Sequence, residues 1–414
     1  MGEFFSDEVE LALGLIYYRL REQRGKEGFA LLERAYKNGD ADAAYLLSRC
    51  YSGAQYVWKY HGFPEDDEKV SRLIHESIRG GSAMGVLGAM RCGEFDSQAE
   101  RDMPFENLKE AYDVIYEKAQ RGEPFCQYMV GNVCFWGDIL EIEQETVEKI
   151  SGNKAALLEF IRKANYESVD WFEKAFAAGV YLSGNNLYQL YENGNDGILP
   201  KNPGKAAEVD RRGAEYGYPT FQAGYGMNLE EAGKLEEAVY WWTKAYEGGQ
   251  KSVCFRLGKA ALQGRGMAQN ARLAERYLTE GLSEDDYGCY NRLGELYFYG
   301  GDGVMRNYAR AVELFEEARR RGSCWANDMH AVAKLKGLGC VKNAAQAKQL
   351  LEETTGESDM KNYGLGLMYT QGLGVAQNMK KGVAFLDRAS NLDWAREERA
   401  KYKKGFLGRW TVVE

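Results

Sequence analysis

Proline, histidine and paired cysteines are scarce in this sequence, and each scarcity excludes a class of protein. The 414 residues include only 6 prolines and 3 histidines, and none of the 8 cysteines belongs to a Cys-x-x-Cys pair. Zinc sites built from closely spaced cysteines and histidines are therefore excluded. Few prolines leave the chain free to form many helices. The scattered cysteines are expected to be reduced and to act as small apolar residues.

Membrane-spanning and secretory segments are also missing. No run of about 18 apolar residues occurs, so no membrane span is expected. The first eight residues are acidic, whereas a secretory signal begins with a basic segment followed by an apolar one. The sequence also contains no Asn-x-Ser/Thr glycosylation acceptor. We therefore expect a cytoplasmic protein. The formal net charge of −9 speaks against nucleic acid and suits a protein partner with a basic surface, although solubility alone also explains it.

No catalytic constellation is visible. His75 and His330 lie on predicted helices, and we expect each to be a partly buried histidine with satisfied hydrogen bonds. The glycine clusters Gly300–Gly303 and Gly264–Gly266 lack the Gly-Lys-Ser/Thr ending of a phosphate loop and follow helices. We predict no catalytic site, no metal site and no cofactor.

Glycine is abundant, with 48 residues, and its placement reveals an internal repeat. The segments 257–270, 293–307 and 365–378 share Leu-Gly, then Tyr or Ala, a glycine pair, an apolar residue and Asn. A second stretch follows with apolar residues at i, i+3 or i+4 and i+7, which predicts a helix with one buried face. We expect a left-handed glycine to close each unit. These glycines are Gly39, Gly80, Gly122, Gly179, Gly217, Gly248, Gly281 and Gly322.

The repeated skeleton resembles the Sel-1-like repeat, a relative of the tetratricopeptide repeat. The match is closest from Gly217 to Asn391 and degenerates in the first half, where Leu46-Leu47-Ser48 stands in place of Leu-Gly. The resemblance implies an all-α fold, an α/α solenoid (superhelix) of about ten helix–turn–helix repeats with a C-terminal capping helix. We expect the solenoid to span residues 1–393, degenerate in 1–165, followed by a capping helix and basic tail in 394–414.

Two insertions interrupt the repeats, near residues 52–64 and 137–163. The first is aromatic, with Tyr56, Trp58 and Tyr60, and the second carries an acidic stretch from Glu141 to Glu148, where we expect an extra helix. Long loops in a compact array are often functional, and sequence drift is the equal alternative.

The resemblance also indicates where a partner would bind. In related arrays the first helices line a concave groove, and residues two before and two after the repeat leucine project into it. The alternative is that many of these side chains pack between repeats. The positions are Tyr45, Arg49, Tyr128, Asn132, Asn185, Gln189, Phe221, Tyr225, Phe255, Lys259, Asn291, Glu295 and Tyr363.

Three functional hypotheses follow. The first is a non-catalytic protein–protein interaction module, either a bacterial cytoplasmic adaptor or scaffold or an immunity protein that neutralises a toxin with a basic surface. The second is an enzyme that binds or hydrolyses cell-wall precursors or β-lactams, as implied by cysteine-rich relatives, although the repeated cysteine pairs of those proteins are missing here. The third, an adaptor of the secretory lumen, conflicts with the missing signal segment.

Overall fold

The computed structural model describes residues 3–18, 24–53, 61–195, 198–284, 286–323, 325–404 and 410–412. Within these ranges the chain forms 24 α-helices and one two-stranded sheet. It divides into two compact units, Met1–Asn228 and Leu229–Glu414, which we call unit 1 and unit 2. No described helix combines the length and the apolar character needed to span a bilayer.

The helices of unit 1 vary from one to more than six turns. They are α1 (Asp7–Ile16), α2 (Gly25–Lys37), α3 (Ala41–Tyr51), α4 (Asp67–Arg79), α5 (Ala83–Cys92), α6 (Ser97–Asp102), α7 (Leu108–Gln120), α8 (Pro124–Trp136), α9 (Ile139–Ile142), α10 (Gln144–Ile150), α11 (Lys154–Ala177), α12 (Tyr181–Asn193) and α13 (Pro203–Glu215). The next helix, α14 (Pro219–Glu231), contains the boundary between the units.

Unit 2 is more regular and ends in a small sheet. Its elements are α15 (Leu235–Glu247), α16 (Cys254–Gln263), α17 (Ala271–Gly281), α18 (Tyr287–Tyr299), α19 (Tyr308–Arg320), α20 (Asn327–Lys336), α21 (Ala344–Glu353), α22 (Asp359–Gln371), α23 (Met379–Arg388), α24 (Asp393–Ala400), β1 (Tyr402–Lys404) and β2 (Trp410–Val412).

Helices pack as pairs, each made of a first and a second helix. The pairs of unit 1 are α1/α2, α3/α4, α5/α7, α8/α11 and α12/α13, and those of unit 2 are α16/α17, α18/α19, α20/α21 and α22/α23. First helices also pack on the first helix of the next pair, as α3 does on α5 and α20 on α22. This stacking buries the apolar face that an isolated pair would expose. The predicted all-α solenoid of tandem helix pairs is therefore confirmed.

The glycine of the Leu-Gly skeleton permits the close approach of the two helices in a pair. A Cβ atom on Gly258 would lie 2.5 Å from Leu278, on Gly294 2.5 Å from Phe315, and on Gly366 2.6 Å from Leu386. These distances are far shorter than the 3.5–4.0 Å at which carbon atoms pack. Glycine is used here because it has no side chain, at a cost in helix propensity of about 1 kcal/mol.

The asparagine of the skeleton caps the second helix. The Oδ1 atoms of Asn202, Asn270, Asn307, Asn343 and Asn378 each accept a hydrogen bond from the backbone N–H three residues later, at 2.9 to 3.1 Å. The bond satisfies one of the backbone donors that a helix start leaves unpaired. The recurring Asn therefore fixes where each second helix begins.

The glycines expected to close each unit adopt the left-handed conformation at five of eight positions. Their φ angles are 85° to 102° at Gly39, Gly122, Gly179, Gly217 and Gly322. The prediction is wrong by one residue at Gly80 and Gly248, where the helices extend further and Gly81 and Gly249 adopt that conformation. It is wrong outright at Gly281, because α17 runs on into a 3-10 turn there.

The two insertions differ in what the structure describes. Residues 54–60 of the first, with Tyr56, Trp58 and Tyr60, lie outside the described residues. The second insertion forms α9, α10 and the start of the 24-residue α11. It thus provides two short helices and an extension of a repeat helix, where one extra helix was expected.

The tail after the last pair is also more structured than a helix with a loose end. Helix α24 begins at Asp393, and β1 pairs antiparallel with β2 so that Tyr402 faces Val412. The basic residues Lys403 and Lys404 lie in β1, whereas Arg409 falls outside the described residues.

Candidate protein-binding site

Three of the predicted groove positions in unit 1 hold buried side chains. Tyr45, Arg49 and Tyr128 are 4%, 8% and 7% exposed. The ring of Tyr45 lies on Gly88 of the next first helix, where a Cβ atom would come within 2.1 Å of it. These three side chains therefore pack against neighbouring helices, which is the alternative to projecting into an open groove.

Arg49 lies in an aromatic cage. Its guanidinium carbon is 5.4 to 5.8 Å from the ring centroids of Tyr17, Tyr45, Phe125 and Tyr128. Its Nη1 donates to the Tyr45 hydroxyl at 3.0 Å and its Nε to the Tyr17 hydroxyl at 3.3 Å. Cation–π attraction is strongest where the cation is shielded from water, as it is here. Repeat periodicity did not single out Tyr17 and Phe125, because Tyr17 follows α1 and Phe125 lies five residues before the repeat position Val130.

The remaining positions in unit 1 are more accessible, with one exception. Asn132, Asn185 and Tyr225 are half-buried and Gln189 is exposed, whereas Phe221 is buried, 2% exposed. The Phe221 ring packs against Phe176 and Tyr181 at centroid distances of 5.7 and 5.8 Å and lies on Gly213.

Unit 2 shows the same division. Asn291 and Tyr363 are buried, 3% and 1% exposed, while Phe255, Lys259 and Glu295 are half-buried. In both units, side chains two residues before the repeat leucine are mostly buried, and those two residues after it mostly reach the surface. The earlier position points at the neighbouring first helix, as Phe255 does at Gly288. Whether any of the thirteen residues contacts a partner stays a prediction.

An open cleft of about 440 Å³ lies along the first helices α16 and α18 of unit 2. The predicted groove residues Lys259 and Glu295 line it, together with Gln263, Arg292 and Tyr299. Arg292 donates to Glu295 at 2.7 Å, and its guanidinium carbon lies 4.2 Å from the ring centroid of Trp325. This cleft is where the predicted groove is open and carries both charged and aromatic side chains.

A larger cleft, of about 780 Å³, lies in unit 1 between the segment that includes α6 and the insertion helices α9 and α10. One lysine, Lys109, and seven carboxylates line it: Asp96, Glu100, Glu106, Glu141, Glu143, Glu145 and Glu148. We call it the acidic cleft. All four glutamates of the predicted acidic stretch in the insertion lie along it.

The charge of the acidic cleft is only partly balanced by the described residues. Lys109 lies 3.6 Å from Glu143 and also pairs with Asp113. Burial disfavours the charged amine, but these two carboxylates outweigh it and raise the pKa of Lys109. Apolar side chains complete the lining, namely Phe95, Met103, Phe105, Leu108 and Ile142. The cleft therefore combines apolar contact surface with a surplus of negative charge.

The repeat pattern and this geometry can be compared with known proteins. The family model described as Sel1 repeat matches residues 181–208, 225–250, 252–286, 289–323, 326–354 and 362–394. The chain carries six Sel1 repeats. The matched repeats begin at α12, and the family model does not match the helix pairs before it. No curated protein matches the chain in sequence.

One solved structure agrees on the fold. The crystal structure of c5321, a protective antigen of uropathogenic Escherichia coli with an SLR fold, is 20% identical, with a TM-score of 0.50 over 95% of this chain and 78% of that one. A Sel1 repeat protein from Oxalobacter formigenes is 18% identical, with a TM-score of 0.44 over 96% and 95% of the two chains. The immunity protein Pa5087 from Pseudomonas aeruginosa is 15% identical, with a TM-score of 0.27 over 55% and 74%. At 20% identity the likeness to c5321 concerns the fold alone, and the Sel1 fold is a protein-interaction fold.

One histidine in the Sel1 repeats departs from expectation. His330 is buried, 2% exposed, but neither ring nitrogen has a hydrogen-bond partner among the described residues. The nearest carboxylate oxygen, on Glu316, is 3.6 Å from Nε2, which is too long for a hydrogen bond. Burial, with a contribution from Lys334, lowers the pKa of His330 to about 4. The expectation of a satisfied histidine is therefore wrong for His330.

The seven cysteines among the described residues are free thiols, and two of them, Cys126 and Cys134, lie on α8. Burial raises the pKa of Cys134 to about 12, with Glu167 adding to the effect, which keeps the thiol protonated. Over the same ranges, no three cysteine, histidine, aspartate or glutamate side chains converge as metal ligands would.

Proposed function

We propose that this Sel1 repeat protein is a non-catalytic interaction module, a cytoplasmic adaptor or a toxin-neutralising immunity protein, whose protein partner presents a basic surface. The acidic cleft of unit 1 is the observation that supports this proposal. A repeat array needs no insertion for its stability, yet here an insertion forms one wall of a cleft lined by seven carboxylates.

The carboxylates and apolar side chains of the acidic cleft suit a partner surface that presents lysine or arginine together with apolar groups. Among the described residues no cation pairs with Glu100, Glu141 or Glu145, so these carboxylates are free to meet a partner's charges. Such charges steer encounter and set specificity, while the apolar lining supplies contact area. Because exposed charges are screened over about 8 Å at physiological ionic strength, binding should weaken as salt rises.

The predicted groove positions that remain accessible extend the proposal to the first helices. The members of that set with surface exposure and polar atoms are Asn132, Asn185, Gln189, Tyr225, Lys259 and Glu295. Amide and charged groups determine which partner is recognised, and aromatic rings anchor that partner in the interface. We propose them as secondary contacts.

A charge-reversal pair tests the proposal. The double variant Glu141→Lys/Glu145→Lys inverts two exposed charges of the acidic cleft. Its matched control, Glu313→Lys/Glu352→Lys, makes the same change at carboxylates of unit 2 that are 63% and 67% exposed. A partner is first isolated by affinity capture from cells of the source organism and then purified, and its binding is measured by calorimetry at low and physiological salt.

The cleft variant is expected to bind the purified partner at least tenfold more weakly, with a reduced salt dependence, and the control is expected to bind like the parent protein. An immunity role further requires that the partner is toxic alone and neutral in the complex. Equal binding by both double variants would remove the acidic cleft from the interface. Turnover of a small molecule by a protein that holds no stable partner would contradict the function itself.

A further inference from the structure

The C-terminal helix α24 contacts first helices of three successive repeats in unit 2. The ring centroid of Trp394 lies 5.6 Å from that of Phe298 on α18 and 6.2 Å from that of Tyr363 on α22. The Nζ of Lys336, on α20, lies 4.7 Å from the Trp394 centroid. A helix that only covered the end of the array would contact the last pair alone. Trp394 instead enters the face where the predicted groove residue Tyr363 lies.

A second contact follows one helical turn later. Glu398 is 6% exposed, and its Oε1 accepts hydrogen bonds from Gln371 at the end of α22, at 2.9 Å, and from Tyr402, at 2.8 Å. A buried carboxylate is costly unless hydrogen bonds compensate it, and these bonds do so. Residues four apart lie on one side of a helix, so Trp394 and Glu398 together face the groove. Anchors with this spacing are typical of a helix bound in a groove.

The groove continues beyond the part that α24 covers. The ring centroid of Tyr299 is 6.5 Å from that of Trp394, and Tyr299 also lines the open 440 Å³ cleft with Lys259 and Gln263. Helix α24 therefore occupies one stretch of a longer surface and leaves the neighbouring stretch free.

We propose that this face of unit 2 is a receptor for an amphipathic helix of a protein partner, with an aromatic anchor and an acidic residue four positions later, and that α24 fills it in the free protein. The partner helix displaces α24 and extends into the open cleft. The inference rests on the proposed function only in taking a protein as the ligand. Its residues all lie in unit 2, so it stands or falls separately from the acidic cleft of unit 1.

The full chain and a peptide of its own sequence test the proposal. The probe is a fluorescein-labelled peptide of residues 391–404, and its binding is followed by fluorescence anisotropy. The variant Trp394→Ala/Glu398→Gln loosens α24, and Arg396→Ala/Glu397→Gln is its control, because Arg396 and Glu397 lie on the exposed side of the same helix. Since apparent affinity scales with the fraction of open receptor, the double variant should bind the peptide at least tenfold tighter than the parent protein or the control. A peptide carrying Trp394→Ala should not bind.

Equal binding of the peptide by parent and double variant, with the circular dichroism spectrum and Tm of the variant showing it folded, would overturn the proposal. Equal binding of the Trp394→Ala peptide would do the same. If the double variant does not fold, hydrogen exchange on the parent protein decides. Excess unlabelled peptide should speed amide exchange in α24 and leave that of unit 1 unchanged, and no acceleration would refute displacement. The variant Glu141→Lys/Glu145→Lys should behave like the parent in this assay, whatever it does to the basic partner.

Discussion

A substitution at the turn glycine Gly339 measures how much the contact between successive repeats contributes to the free energy of unfolding. It has a φ of +68°, and a Cβ atom placed on it would lie 2.3 Å from the backbone of Tyr308 and Ala309, at the start of the second helix in the preceding repeat. The variant Gly339→Ala therefore combines two costs. The left-handed conformation costs about 1 kcal/mol for alanine, and overpacking against backbone that cannot rotate away costs about 2 kcal/mol.

Gly322 separates the two costs. It also has a positive φ, +85°, but nothing lies within 4 Å of its Cβ position. We expect Gly322→Ala to lower the free energy of unfolding by about 1 kcal/mol and Gly339→Ala by about 3 kcal/mol. For a unit of this size the corresponding drops in Tm are about 3 °C and about 9 °C. Urea titrations at 25 °C followed by far-UV circular dichroism, with calorimetric scans, would measure both.

The difference of about 2 kcal/mol between the two variants isolates the effect of the close approach at Gly339, because conformational strain is common to both. Equal destabilisation by the two substitutions would show that the close approach at Gly339 does not hold the repeats together. An unchanged urea slope is needed for the comparison, since a changed slope would indicate that the units unfold separately.

Three further predictions concern single side chains. Replacing the helix-capping asparagine in Asn307→Ala should cost about 1 kcal/mol of unfolding free energy in denaturant titrations, and Asn307→Ser, which can cap, should recover most of it. Because burial depresses the pKa of His330 to about 4, the unfolded state binds the proton first as pH falls, so stability should drop between pH 6.5 and 4 by up to about 3 kcal/mol. The variant His330→Gln should lose this pH-dependent drop in stability, and His75→Gln should keep it. Parallel pH profiles of stability for the parent protein and both variants would contradict the prediction. Arg49→Lys should lower the free energy of unfolding by about 2 kcal/mol, because an ammonium cannot reproduce the planar stacking and both hydrogen bonds, and a change below 0.5 kcal/mol would show that the cage contributes little.

Much of the fold could be predicted from local residue patterns in the sequence. The Leu-Gly pair and the capping Asn recur at fixed offsets, and each has one physical purpose, close helix approach or satisfaction of a helix start. The helix pairs could therefore be predicted where these residues recur, most clearly from Gly217 to Asn391. The closing glycines were predicted less well, because a helix can run one residue further at little cost, as it does before Gly81 and Gly249.

The candidate binding surface followed from the sequence only in part. The acidic stretch from Glu141 to Glu148 was visible in the sequence as a charge run. The sequence did not show that this stretch shares a cleft with Asp96, Glu100 and Glu106, which lie about 40 residues earlier. That arrangement depends on α6 and on the insertion helices, which have no place in the repeat pattern.

The sequence by itself determined that the chain is a stack of helix pairs, because the recurring skeleton and the helical spacing of apolar residues mark each helix and its buried face. Only the tertiary structure decided which of the predicted groove side chains stay open. Tyr45 is buried because the next first helix presents Gly88 against its ring, and Tyr363 because Trp394 lies beside it. Both contacts join residues at least 30 positions apart, and their geometry depends on how far each repeat is rotated against its neighbour. Side-chain direction is a local property of the chain, whereas that rotation is set by packing.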